Sequence, residues 1–180
     1  MRIATWNVNS VRTREDRVLL WLREHEPDVL CMQETKVVDE DFPTAGFEEL
    51  GYTVSIHGQK TYNGVAIASR LPVEDVVVGL PLDGDDEARG IAVTVGGVRI
   101  VDVYVPNGSE VGSDKYAYKL RWLDALGAWL DGNADPSAAL VVTGDYNIAP
   151  DDRDVWDAEA WRGQVLCTDE ERARFQSLLR

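Results

Sequence analysis

Apolar residues along this 180-residue chain fall into short runs bounded by turn formers. Segments rich in Val, Ile and Ala at 2–8, 28–34, 51–57, 64–70, 73–78, 89–95, 98–105 and 138–144 read as β-strands. The fourth and fifth are joined only by Leu71-Pro72, and the sixth and seventh only by Gly96-Gly97, which predicts two antiparallel hairpins. Helical spacing shows at 14–25, where Val18, Leu19 and Leu22 share a face. It shows again at 114–131, through Leu120, Leu123 and Leu130, with Ser113 as N-cap and Gly132 as stop. Near the C-terminus, Thr168 and Glu171 form a capping-box pattern ahead of a helix whose apolar face is Phe175, Leu178 and Leu179. Strands outnumber helices, and hairpins run between them. The predicted class is therefore α+β, a sandwich of two mainly antiparallel sheets with helices on the outside.

Length and a 44% hydrophobic content fit one domain, residues 1–180, with a sizeable core. No run approaches the roughly 18 apolar residues of a membrane span, and the first strand begins at Arg2 with no room for a signal peptide, so a soluble, cytoplasmic protein is expected. Cys31 and Cys167 lie far apart and outside any ligand spacing, and read as packing residues. The net charge of −14 argues against a nucleic-acid partner unless basic residues gather at one cleft, because local potential rather than net charge steers a ligand.

Three apolar strands end in polar residues: Asn7 in Thr5-Trp6-Asn7-Val8-Asn9, Glu34 in Cys31-Met32-Gln33-Glu34-Thr35-Lys36, and Asp145 with Asn147 in Thr143-Gly144-Asp145-Tyr146-Asn147. Singly, each reads as a solvated strand end or an Asx turn. Together they offer what a hard divalent cation takes, one or two carboxylates with amide oxygens and water completing the shell. Trp6 reads as core, and Trp122, Trp156 and Trp161 as packing or helix-surface residues.

Five motifs, in order, resemble the exodeoxyribonuclease III family of the endonuclease, exonuclease and phosphatase superfamily. They are Asn7-Val8-Asn9-Ser10-Val11-Arg12, Gln33-Glu34-Thr35-Lys36, His57 to Lys60 with Tyr62-Asn63-Gly64-Val65, Tyr104-Val105-Pro106-Asn107-Gly108, and Gly144-Asp145-Tyr146-Asn147. The resemblance runs from Met1 to about residue 180. It implies a four-layer αββα sandwich and a monomeric DNA-repair enzyme that cuts double-stranded DNA beside abasic sites and degrades it from the 3′ end. It implies Mg2+, with Mn2+ as a substitute, held by Glu34 and Asn7 with Asp145 and Asn147. Asp145 would accept a proton from or orient the attacking water, Asn147 would hold both in place, and Tyr104 would donate to the scissile phosphate. Arg12, Lys36, Tyr62 and Asn107 would touch the DNA backbone, which positions a duplex without reading sequence.

Members of that family also carry a Ser-Asp-His segment near the C-terminus and an acidic residue in an Arg-Ile-Asp strand before it. The histidines of this chain are His25 and His57, and neither follows an Asp. The sequence thus resembles a family member that ends early, which implies uncovered strand edges, low stability of the isolated chain and weakened or lost activity. Two other readings stand beside it: a related phosphodiesterase or phosphatase acting on a lipid or nucleotide, and a non-catalytic DNA-binding remnant of the fold.

Overall fold

The computed structural model describes residues 1–80, 85–133, 135 and 137–179. Among the described residues, eight strands are observed: β1 (Ile3–Asn7), β2 (Val29–Gln33), β3 (Thr53–His57), β4 (Val65–Ser69), β5 (Val73–Val78), β6 (Gly90–Val95), β7 (Val98–Tyr104) and β8 (Ala139–Asp145). Each lies within a residue or two of its sequence-based position. The helices are α1 (Val11–His25), α2 (Thr44–Glu49), α3 (Asp114–Asn133), α4 (Ala158–Trp161) and α5 (Asp169–Ser177). The short α2 and α4 were not expected, since four to six residues carry too little periodicity to register.

The chain forms two compact units, one of residues 1–80, 85–104, 135 and 137–145, the other of residues 105–133 and 146–179. The first holds two sheets, ordered β1-β2-β4-β3 and β5-β6-β7-β8. β1 with β2 and β7 with β8 are parallel, and the other pairings are antiparallel. The class is the expected α+β sandwich.

Alternation along the strands builds two cores. On β2, Leu30 and Met32 meet Val18 and Leu22 of α1 and Phe47 of α2, with Ala66 and Ala68 of β4 in the same cluster. The intervening Val29 and Cys31, with Val65 and Ile67, pack against Ile91, Val93 and Ile100 of the other sheet. Both faces of β2 and β4 are therefore covered, which is why these strands are almost wholly apolar. Trp6 is partly buried against the helix-side core and meets Trp21 edge to face, as a core residue would.

One expected hairpin forms and one does not. Gly96 and Gly97 have φ of 56° and 79°, the left-handed pair that a tight type I′ turn needs, and Val95 pairs with Val98. β4 and β5 do not pair: β4 lies between β2 and β3, while β5 is the edge of the second sheet. Pro72 fixes φ near −65°, and Leu71 has no positive φ, so a primed turn is closed to this link. The chain instead turns a corner at Ser69, whose hydroxyl accepts from Leu71 N at 3.1 Å and donates to Leu71 O at 2.9 Å.

In the second unit, α3 packs on α5. Ser113 caps α3 as expected, accepting from Tyr116 N at 3.1 Å, but the helix runs through Gly132 to Asn133. The capping box of Thr168 and Glu171 is present. Phe175 meets Tyr146 edge to face, whereas Leu179 lies beyond the helix and is exposed. Cys31 and Cys167 are free and buried, as packing residues. Among the described residues, no helix is long and apolar enough to cross a membrane.

Gly144 is needed at the β7–β8 pairing. Its φ is 142°, and a Cβ there would lie 2.0 Å from the carbonyl oxygen of Val103. Gly144→Ala is expected to cost about 3 kcal/mol of stability in urea unfolding, since only backbone movement relieves the clash. A loss below about 1 kcal/mol would contradict that reading.

Candidate active site

The first unit brings strand ends of both sheets together. Asn7 closes β1, Glu34 follows β2, Tyr104 closes β7 and Asp145 closes β8 beside it in register. The Asn7 amide donates to Glu34 Oε1 at 2.7 Å and to Asp145 Oδ2 at 2.8 Å. Its own Oδ1 accepts from Asn9 N at 3.0 Å, which fixes the amide orientation. The half-buried Tyr104 hydroxyl donates to Glu34. Lys36 Nζ lies 2.8 Å from Glu34 Oε2 and 2.5 Å from Asn9 Oδ1.

Main-chain bonds hold these loops in place. Ser10 N donates to Glu34 O at 2.6 Å, Val11 N to Thr35 O at 3.1 Å, Lys36 N to Asn63 O at 2.9 Å, and Thr35 N to Gly64 O at 3.1 Å. The same loops hold a run of left-handed residues: Asn9 (42°), Ser10 (84°), Glu34 (54°), Lys36 (55°), Thr61 (74°) and Asn63 (53°). Asparagine tolerates this region, but Glu, Lys and β-branched Thr do so at a cost that surrounding bonds must offset. Strain concentrated this way is typical of functional sites.

Burial alone would push the Glu34 carboxyl up, but donation from Asn7, Lys36 and Tyr104 outweighs it and holds Glu34 below its ordinary value. Burial, the Glu34 charge and the bond to Glu34 push the Tyr104 phenol well up. Glu34 is thus an anion at neutral pH and Tyr104 a donor. The Arg89 guanidinium lies 5.1 Å from the Tyr104 ring centroid, donates to Tyr104 O at 3.2 Å and pairs with Glu87 at 2.5 Å. The oxygens of Glu34, Asp145 and Asn7 form a hard donor set. Two carboxylates so close would repel a phosphate, and a divalent cation reverses that local sign. Among the described residues, no three or more His, Cys, Asp or Glu gather as a metal cage would need. Two carboxylates with amides and water do fit Mg2+.

The other expected residues are placed differently. Arg12, on the first turn of α1, is exposed and 4.0 Å from Asp41, and Tyr62 is 67% exposed in the loop before β4. Neither is drawn into the Asn7, Glu34 and Asp145 cluster. Asn147 and Asn107 belong to the second unit. There Asn107 Nδ2 donates to Asn147 Oδ1 at 3.2 Å, and Asn147 Nδ2 to Val105 O at 2.9 Å. His25 stacks on Trp21, and His57 Nδ1 contacts Gly90 O at 3.2 Å.

The sequence reading gave no role to a buried polar network behind the cluster. Gln33, next to Glu34, donates to Asp102 Oδ1 at 2.6 Å and to Thr5 Oγ1 at 2.9 Å. Asp102, two residues before Tyr104, is fully buried, and among the described residues its Oδ2 has no hydrogen-bond partner. Burial pushes its carboxyl well up, against the opposing bond from Gln33. The folded state therefore keeps this proton over a pH range in which the unfolded chain, titrating near 3.9, releases it. The resulting stabilisation is complete below that value and is lost as pH rises towards the folded value, by about 1.4 kcal/mol per unit. Asp102→Asn does not titrate, so its stability relative to the parent should climb from pH 4 to pH 8 in urea unfolding. An identical difference at every pH would show that Asp102 is ionised in the fold.

Comparison with known proteins yields consistent matches. The family model described as Endonuclease/Exonuclease/phosphatase family matches residues 4–174. Exodeoxyribonuclease III of Haemophilus influenzae is 32% identical over 190 residues, spanning 99% of this chain and 71% of that protein. Among solved structures, the 3′ phosphatase NExo from Neisseria, bound to a product DNA hairpin, has a TM-score of 0.96 at 43% identity, covering 99% of this chain and 70% of its own. An AP endonuclease from Archaeoglobus fulgidus has a TM-score of 0.96 at 42% identity, with the same coverage of 99% and 70%.

Proposed function

This chain belongs to the endonuclease/exonuclease/phosphatase family, and from that premise we propose that it is a divalent-metal-dependent DNA phosphodiesterase of the exodeoxyribonuclease III type, acting in repair at abasic sites and 3′ ends of duplex DNA. The observation that carries the reading is the single Asn7 amide bonded to Glu34 and Asp145, with Tyr104 donating to Glu34. A purely structural strand end has no need of two carboxylates so placed, and the arrangement speaks against a DNA-binding remnant.

Glu34 and Asn7, with Asp145 and Asn147, would hold Mg2+, or Mn2+ in its place. The cation would neutralise charge on the scissile phosphate and its leaving oxygen. Asp145 orients the attacking water and takes its proton, and Asn147 fixes that carboxylate and the water. Tyr104, kept protonated, donates to the phosphate oxygen as negative charge grows there. Lys36 offers its ammonium to the phosphate beside Glu34, while Arg12, Tyr62 and Asn107 meet the DNA backbone. The likeness to the Neisseria 3′ phosphatase favours a 3′-phosphate terminus as a further substrate.

A substrate panel tests the proposal: with Mg2+, and with a chelator as control, the chain is offered a duplex containing one abasic site, a duplex ending in a 3′-phosphate, an undamaged duplex, inositol phosphate and p-nitrophenyl phosphate. Metal-dependent turnover confined to the DNA substrates is the expected result. Preference for inositol phosphate would move the chain to another branch of its family, and duplex binding with no turnover of any substrate would favour the remnant.

A further inference from the structure

A buried charge in the second unit points at two of the residues that the mechanism uses. Lys119 and Glu171 have no exposed side-chain surface and lie 2.5 Å apart. The Lys119 ammonium also donates to Asn147 O at 2.6 Å and to Asn107 O at 3.1 Å. Glu171 is committed as well. Its Oε1 accepts from Leu166 N at 3.0 Å, and its Oε2 from Thr168 N at 3.0 Å and Thr168 Oγ1 at 2.7 Å, which is the capping box of α5. Asn147 sits in the left-handed region at φ 49°, and its side chain bonds Val105 and Asn107.

We infer that Lys119 is a positioning residue: its ammonium, neutralised by Glu171, ties the Asn107 and Asn147 backbones to α3 and holds their side chains in one arrangement. Burying an ion pair gains little stability over apolar residues of equal volume, so stability alone does not account for this one. Its donors end on main-chain carbonyls of two loops, which a methionine in the same space would leave unpaired. A single ammonium can serve several acceptors at once because its donors point in separate directions. The role rests on the proposed reaction, in which Asn147 fixes the water and Asn107 meets DNA.

The test uses the full chain with Lys119→Met combined with Glu171→Gln. Glutamine still completes a capping box, and no unpaired charge is left inside. The double variant is expected to melt about 5–20 °C below the parent, because the Asn107 and Asn147 carbonyls lose their donor, and to remain folded at 25 °C. Its kcat on a duplex substrate should fall about 100-fold, the scale set by a misplacement near 1 Å. Independently of activity, the side-chain amide NMR signals of Asn107 and Asn147 should shift, and hydrogen exchange at Ser109 N, which donates to Asn107 Oδ1 at 3.1 Å, should quicken. Parental signals, exchange and kcat in the folded double variant would overturn the inference. If the parent itself fails to cleave DNA, the proposed reaction falls and the NMR and exchange results decide the positioning role alone.

Discussion

Asp145→Asn is expected to lower single-turnover cleavage of an abasic duplex about 1,000-fold while leaving the melting temperature unchanged. The replacement keeps the shape and an oxygen able to accept from Asn7, whose amide donates to Asp145 Oδ2 at 2.8 Å. It removes the negative charge and the ability to take a proton from water. Stability is spared because Asp145 and Glu34 share one donor, and two carboxylates in that position repel each other. A loss of less than tenfold would remove Asp145 from the proton-transfer role.

Glu34→Gln is expected to be as severe for a different reason. Glu34 is held as an anion by Asn7, Lys36 and Tyr104 despite its burial. Its charge is what would attract a cation to a chain whose net charge is −14 only in part through this site. Glutamine fills the same space but has one acceptor oxygen for donors that meet both Glu34 oxygens, Asn7 on Oε1 and Lys36 on Oε2, and it offers no charge to a divalent ion. Loss of several kcal/mol of electrostatic stabilisation corresponds to about a 1,000-fold fall in rate. Excess Mg2+ should recover part of it if weakened metal binding is the cause. The lost ion pair with Lys36 should matter little, because pairs near the surface contribute about 0–1 kcal/mol.

Local patterns along the chain made much of the fold legible, and their failures have physical causes. All eight strands were legible because short apolar runs are bounded by Gly, Pro, Asn and Asp. The Gly96-Gly97 hairpin was legible because its turn needs two positive φ angles. The Leu71-Pro72 link was misread because spacing alone does not distinguish a hairpin from a corner between sheets, although the proline argued against a primed turn. Asn7, Glu34 and Asp145 were legible as polar ends of apolar strands and Tyr104 through the motif resemblance, and the structure places all four at strand ends of one unit.

What was missed is polar and buried. Lys119 falls on the stripe Tyr116, Lys119, Leu123, Leu126 and Leu130, whose alternating spacing of three and four marks the covered face of α3. A charge on such a stripe was a readable signal that the leucine pattern masked. Gln33 and Asp102 interrupt buried apolar runs of β2 and β7, and a polar residue there implies a buried partner on another strand. Which partner depends on register between segments 69 residues apart, and that is set by the fold rather than by either segment.

Metal-dependent phosphodiester cleavage at Glu34 is tested by single-turnover cleavage of a duplex with one abasic site by the unmodified chain in Mg2+, in chelator, and as the Glu34→Gln variant. Cleavage in Mg2+ that is abolished by chelator and reduced about 1,000-fold in Glu34→Gln is the expected result. Cleavage that survives chelation, or that Glu34→Gln leaves at the parental rate, would contradict it.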